Sequence, residues 1–188
     1  MPRKVVVVLG SPRREGNSAI LARHIARGAQ AGGAQVQTFF LHEMDIRPCS
    51  ACEGCHQPDS TGCVIDDDMQ HIYPEVGQAD ALVIATPIYW FTMSAQTKTF
   101  VDRCYALGSP EGHAFAGKRV ACAMTYGAPD PVNSGCVNAV RTFQDAFRFI
   151  GADLVGMVWA SAWKAGEIRQ NDKALHEAFD LGKKLVGD

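Results

Sequence analysis

The chain has 188 residues, 18 basic against 20 acidic side chains, 47% hydrophobic and 20% charged residues. At about 150 residues per domain this is enough chain for one domain, 1–188. The ordinary globular composition excludes disordered and fibrous classes, and the near-neutral charge gives no reason to expect nucleic acid or an anionic membrane as partner. Seven cysteines are too few for a disulfide-built secreted scaffold, and four of them fall between Cys49 and Cys63, which suggests metal or redox chemistry in a reducing, cytoplasmic setting. The apolar run at the N-terminus ends at Leu9, too short for a signal-peptide core, and no stretch approaches the roughly 18 apolar residues of a membrane span.

In chain order, Lys4 to Leu9 (KVVVVL) is a β-branched run that reads as a strand buried on both faces. A loop from Gly10 to Asn17 leads to a helix from Ser18, a residue suited to cap it, and Gly32-Gly33 stops that helix. Gln35 to Leu41 is a second strand. The stretch from about 47 to 63 has cysteines, Pro58, Gly54 and Gly62 but no period, and reads as an irregular loop. Asp66-Asp67-Asp68 opens a helix through about Val76, with acids where the helix dipole favours them. Ala81 to Ala85 is a buried strand, followed by the loop Thr86 to Ser94 and a helix from about Ala95 to Leu107. Arg119 to Met124 is a strand, followed by a loop and a helix to Ile150; Leu154 to Trp159 is the fifth strand, and a last helix covers about 172–186. Strands alternating with helices mean βαβ units and a doubly wound parallel sheet with helices on both faces. Ligands of such sheets bind outside the carboxyl ends of the strands, so the loops 10–18, 86–94 and 125–135 become the candidate site.

The first loop, Gly10-Ser11-Pro12-Arg13-Arg14-Glu15-Gly16-Asn17-Ser18, offers helix-start N–H groups, short hydroxyl and amide side chains, and arginine charge, the chemistry of an anion site. It is neither a dinucleotide fingerprint nor a nucleoside-triphosphate loop, so a monophosphate is the better fit. The alternative is an ordinary turn with solvated arginines. Thr86 to Phe91 places three aromatics in a row after a buried strand, able to line a flat, partly apolar cofactor, and Thr125-Tyr126-Gly127-Ala128 can close the opposite side.

The segments GSPRREGNS, CSACEGCHQPDSTGCVIDDDM and ATPIYWFTMSAQTKTFVDR, in this order over roughly 5–151, resemble the flavodoxin-like NAD(P)H-dependent FMN reductases and, more narrowly, the iron–sulfur flavoproteins and their cluster-free relatives. The resemblance implies a flavodoxin-like five-stranded parallel sheet of order 2-1-3-4-5, one FMN per subunit and a homodimer or homotetramer. It implies that Ser11, Arg13, Asn17 and Ser18 hold the FMN phosphate, that Pro87, Ile88, Tyr89, Trp90 and Phe91 hold the isoalloxazine edge, and that Thr125, Tyr126 and Gly127 approach its other side. Asp102-Arg103 matches the family's Asp-Arg pair and is expected to be a structural ion pair rather than a contact to NAD(P)H.

Cys49, Cys52, Cys55 and Cys63 are spaced so that three thiolates wrap one face of a cuboidal cluster and a fourth arrives from further along. Three occupants stay open: a [4Fe–4S] cluster, free thiols, and zinc, which more often uses two separated knuckles. His56 lies inside the loop as a substitute ligand or a solvated histidine. Trp159 and Trp163 read as packing or subunit contact, and Cys122 as a core thiol. The expected activity is an FMN-dependent oxidoreductase that takes hydride from NAD(P)H and passes electrons to a small acceptor (a quinone, a flavin or a nitroaromatic), with no side chain assigned as acid or base. The alternatives are a flavodoxin-type electron carrier, against which the charge of −2 argues, and a thiol redox sensor.

Overall fold

The structure is a computed structural model that describes residues 1–187. Its main sheet has five parallel strands, β1 (Lys4–Leu9), β2 (Gln35–Phe40), β3 (Ala81–Tyr89), β4 (Arg119–Tyr126) and β5 (Asp153–Ser161), in the order 2-1-3-4-5. This is the flavodoxin-like order that the family resemblance implies. The period of two along β1 explains its interior place: Val5, Val7 and Leu9 face one apolar layer while Val6 and Val8 face the other. Register follows directly, with Val5 opposite Val36 on one side and Ala81 on the other.

Five helices cover the faces: α1 (Asn17–Ala31), α2 (Met69–Gln78), α3 (Ala95–Arg103), α4 (Cys136–Phe149) and α5 (Asp172–Val186). Residues of α1 and α5 share one apolar layer, those of α2, α3 and α4 the other. Helices α1 and α5 meet backbone to backbone. A Cβ on Gly28 would stand 1.9 Å from the Phe179 carbonyl oxygen, and one on Gly182 would stand 1.9 Å from that of Ile25, so only glycine fits at either crossing point.

Several boundaries differ from the sequence reading. Strand β3 does not stop at Ala85 but runs to Tyr89, and a two-residue strand, Thr92–Met93, folds back on it. The expected loop 86–94 is therefore mostly a β-hairpin. Helix α1 begins at Asn17, with Gly16 rather than Ser18 in the cap position. Helix α3 ends at Arg103 and continues as one tight 3₁₀ turn to Leu107. Helix α2 starts at Met69, whose N–H is accepted by Asp67 Oδ1 at 3.0 Å, so Asp67 does act at the helix start. Among the described residues no helix is long and apolar enough to cross a membrane.

Candidate functional site

The ends of β1, β3, β4 and β5 open onto a cavity of about 550 Å³ lined by Ser11, Arg13, Asn17, Ser18, Pro87, Ile88, Tyr89, Thr125, Tyr126 and Gly127. Three segments far apart in sequence thus converge at the carboxyl edge of the sheet, where doubly wound folds bind ligands. The volume lies within the range of small-molecule sites.

One end of the cavity is built for an anion. Helix α1 has no side-chain cap and no acid in its first turn, whereas Ser94 caps α3 and Asn171 caps α5. Among the described residues the N–H groups of Asn17, Ser18 and Ala19 have no acceptor, and helix-start N–H groups left in this way bind anions. The two arginines of the loop divide their work. Arg14 is ion-paired with Glu43 and lies over the Phe40 ring at 4.7 Å. Arg13 forms no ion pair among the described residues and lines the cavity. Ser11 Oγ accepts from the Arg13 N–H at 3.1 Å, which fixes the turn.

Asn17 has a further task that its spacing did not reveal. Its Nδ2 donates to the carbonyls of Ala162 at 3.1 Å and Lys164 at 2.9 Å, and its Oδ1 accepts from the Ile168 N–H at 3.3 Å. The side chain ties the loop after β5 to the start of α1, so only its backbone N–H faces an anionic ligand freely. That fourth loop supplies Ala162, Trp163, Lys164 and Ala165 to the cavity wall. Sequence reasoning assigned Trp163 to packing or subunit contact. The signal that places it here is its position directly after a strand, at the same sheet edge as the other loops. A Cβ on Gly127 would stand 2.3 Å from the Trp163 ring, so the indole lies against a bare backbone.

At the other end, Ser94 Oγ donates to the Gly10 carbonyl at 2.7 Å and Thr86 Oγ1 accepts from the Ser94 N–H at 3.0 Å, locking the base of the hairpin to the first loop. The hairpin tip is strained. Trp90 (φ 47°) and Phe91 (φ 66°) both occupy the left-handed region, in a two-residue turn whose backbone ordinarily selects Asn-Gly. Such residues cost about 1–3 kcal/mol each and persist where surroundings over-determine them. Here Asn138 Nδ2 donates to the Phe91 carbonyl at 3.0 Å, and Gly135 admits Phe91 so closely that a Cβ would meet its Cα at 2.5 Å. Trp90 is 92% exposed. The turn carries Trp90 and Phe91 out of the main cavity, unlike Pro87 to Tyr89, and they line an adjoining hollow of about 290 Å³ with Tyr126, Gly127 and Trp163.

The cysteine loop stands elsewhere, at the far end of α3. Cys49, Cys52, Cys55 and Cys63 line one hollow of about 20 Å³ together with Arg103 and Tyr105; that is room for about one water. Ala51 (φ 52°) and Glu53 (φ 57°) are left-handed, so the chain curls between successive cysteines and turns N–H groups toward sulfur, as with the Ala51 N–H, 3.4 Å from Cys49 Sγ. A backbone hydrogen bond from Gly54, then one from the Ser50 hydroxyl, holds the Cys52 thiol below its ordinary pKa, while burial pushes that of Cys55 up. Among the described residues no three His, Cys, Asp or Glu side chains converge tightly enough for a single ion. His56 points away from the sulfurs: its ring lies on Tyr105 at 4.4 Å and its Nε2 is 3.1 Å from the Tyr105 carbonyl oxygen.

The expected pairing of Asp102 with Arg103 is corrected. Neighbours in a helix do not face each other, and Asp102 bonds Lys98 at 2.6 Å on the surface. Arg103 turns inward to Asp67, with both side chains buried. Burial opposes ionisation of Asp67, but hydrogen bonds from Arg103 and from the N–H groups of Arg47 and Met69 hold its carboxyl below the usual range.

Sheet order and cavity together define a flavodoxin-like α/β protein whose ligand site lies at the carboxyl edge of its strands. The NADPH-dependent FMN reductase family matches residues 3–166, and the chain belongs to that family of FMN-dependent oxidoreductases. It is 31% identical over 154 residues to an iron-sulfur flavoprotein of Methanosarcina thermophila, covering 81% of this chain and 77% of the relative. It is 30% identical over 150 residues to an FMN-dependent NADH:quinone oxidoreductase of Methylobacterium radiotolerans, covering 74% and 71%. Among solved structures, the NAD(P)H:quinone oxidoreductase from Methanothermobacter marburgensis superposes with a TM-score of 0.74 at 18% identity, covering 100% of this chain and 99% of that one, a likeness of fold.

Proposed function

We propose that the chain binds FMN in the 550 Å³ cavity and works as an NAD(P)H-dependent reductase of small acceptors such as quinones, free flavins or nitroaromatics. The observation that carries this reading is the convergence in one cavity of an uncapped helix start, an Arg13 without an ion-pair partner among the described residues, and walls from Pro87 to Tyr89 and Thr125 to Gly127. That donor set fits a phosphate joined to a planar ring. Ser11, Arg13, Ser18 and the first-turn N–H groups of α1 would hold the phosphate. Pro87, Ile88 and Tyr89 on one side and Thr125, Tyr126 and Gly127 on the other would orient the ring and exclude water. Bound there, FMN would supply the hydride and electron-transfer chemistry between nicotinamide and acceptor. Trp90 and Phe91 would wall the approach from the adjoining hollow. The exposure of Trp90, Phe91 and Trp163 (77% for Trp163) supports a second copy of the chain packing over this rim, in a homodimer or homotetramer.

The cysteine loop fits a [4Fe–4S] cluster in its donor set. Four thiols line one hollow and backbone N–H groups turn toward sulfur, although the loop must open to admit the group. A cluster held by Cys49, Cys52, Cys55 and Cys63 would supply single-electron transfer. The test is an anaerobic preparation assayed for flavin, iron and acid-labile sulfide, then for NAD(P)H oxidation with a quinone. Flavin, stoichiometric iron and sulfide, and quinone-dependent turnover are the expected result. Flavin without turnover would make the protein an electron carrier, and failure to bind FMN would overturn the assignment of the cavity.

A further inference from the structure

Arg103 is 1% exposed, and its guanidinium is saturated. Its Nε donates to Tyr73 Oη at 3.2 Å; Nη1 donates to the Arg47 carbonyl at 2.7 Å and to Asp67 Oδ2; Nη2 donates to Asp67 Oδ1 at 3.0 Å and to Cys63 Sγ at 3.5 Å. Every N–H an arginine owns is therefore committed, and one is committed to a sulfur. The bidentate grip of Asp67 and the backbone carbonyl fix the plane of the group, so the direction of the N–H toward Cys63 is not free to vary. What sets Cys63 apart is the charged donor: Cys49 and Cys52 are exposed, Cys49 accepts a backbone N–H, and Cys52 accepts from the Gly54 N–H and the Ser50 hydroxyl.

We propose that Arg103 is a positioning residue for a sulfur-ligated redox centre, its Nη2–H donating to the Cys63 ligand and setting the reduction potential of that centre. The inference rests on the reading that Cys49, Cys52, Cys55 and Cys63 carry a [4Fe–4S] cluster. One-electron reduction by the NAD(P)H-reduced flavin adds an electron to the cluster, makes no bond and releases no group, so the thiolate-ligated unit becomes one charge more negative. A hydrogen bond to a ligand sulfur stabilises the more negative state and raises the potential. Asp67 offsets the arginine charge at longer range, so the local N–H···S bond, rather than net charge, carries the effect. Cys63 becomes the electronically distinct ligand of the four, although it is the one outside the tight Cys-x2-Cys-x2-Cys run.

The test uses full-length protein grown with guanidino-nitrogen-15 arginine, reconstituted anaerobically, reduced, and examined by pulsed electron paramagnetic resonance. The expected result is a nitrogen-15 coupling to the reduced cluster that disappears in Arg103→Lys. That variant should also show a more negative midpoint potential at unchanged iron and sulfide content. A fully loaded cluster without arginine coupling in the wild-type protein overturns the role of Arg103 alone, and this measurement stands even if Arg103→Lys does not fold. Absence of iron and sulfide after reconstitution overturns the proposal together with the cluster reading, and the metal assay tells the two failures apart.

Discussion

The cavity proposed for FMN and the cysteine loop are positioned by opposite means. The cavity is assembled from strand ends that a parallel sheet would hold in place whatever their side chains, and its main donors are backbone N–H groups at the start of α1. The cysteine loop has no sheet beneath it and is tied to the body of the protein by side chains: Arg103 bonds the Arg47 carbonyl and Cys63, Tyr105 Oη donates to Glu53 at 2.9 Å, and Gln70 Nε2 donates to the Cys63 carbonyl at 2.8 Å. The two sites are joined by α3, whose cap Ser94 bonds Gly10 beside the cavity and whose last residue bonds Cys63. At ~1.5 Å of rise per residue that helix sets them roughly 13 Å apart along its axis. A site made from topology tolerates side-chain change; a site held by side-chain bonds is more sensitive to it.

The hardest way to break this contrast is Asp67→Asn. It leaves Arg103 buried without its carboxylate, a loss of about 3–5 kcal/mol, readable by urea unfolding. FMN affinity of the folded fraction should stay unchanged, and a parallel loss of affinity would show that the two sites are not independently built. The same carboxylate sets an acid limit. Its folded pKa lies below the unfolded value of about 3.9, so its stabilisation is complete above that value and lost as pH falls through the lowered one. Asp67→Asn should lack that component of the stability profile.

Arg13→Ala attacks the other side. Removing a charged hydrogen-bond donor to phosphate should weaken FMN binding by roughly 1.5–3 kcal/mol, while riboflavin, which has no phosphate, should bind as before. Equal loss for both ligands in fluorescence titration would move Arg13 away from the phosphate. A smaller effect, of opposite sign, is expected from replacing Trp90-Phe91 by Asn-Gly. Relief of left-handed strain should stabilise the fold by about 1–2 kcal/mol while acceptor KM rises, measured by thermal unfolding and steady-state kinetics. The mildest probe is timed alkylation of the apoprotein, read by mass spectrometry. Cys52, its thiol pKa lowered by the Gly54 N–H, should react first; Cys104 and Cys122, pushed up by burial, should react last.

What could be read from the sequence follows the same division. KVVVVL and ALVIA announce buried parallel strands because both faces must be apolar, and the three loops after them were expected at one edge for a topological reason. The extension of β3 through Pro87 was hidden because proline ordinarily argues against a central strand. The hairpin was hidden because Trp-Phe stands where the turn chemistry calls for Asn-Gly. Contacts across the fold left no local mark. Arg103 lies 36 residues from Asp67 in sequence, and the adjacent Asp102 offered a false partner that helix geometry forbids. The role of Asn17 in holding the loop after β5, with partners up to 151 residues away, was equally silent.

The saturation of Arg103 also bears on ancestry. Deleting all four cysteines would remove one of its hydrogen bonds and leave those to Asp67, Tyr73 and the Arg47 carbonyl in place. Deleting Arg103 would leave Asp67 buried without its guanidinium partner and remove a tether of the loop. A lineage can thus shed the thiols cheaply while keeping the pair, but it cannot easily do the reverse. Descendants with an aspartate and an arginine at these positions and no cysteines should be common, and descendants with cysteines but no such arginine rare. The pair would then belong to the scaffold, and the thiols to whatever centre the loop carries.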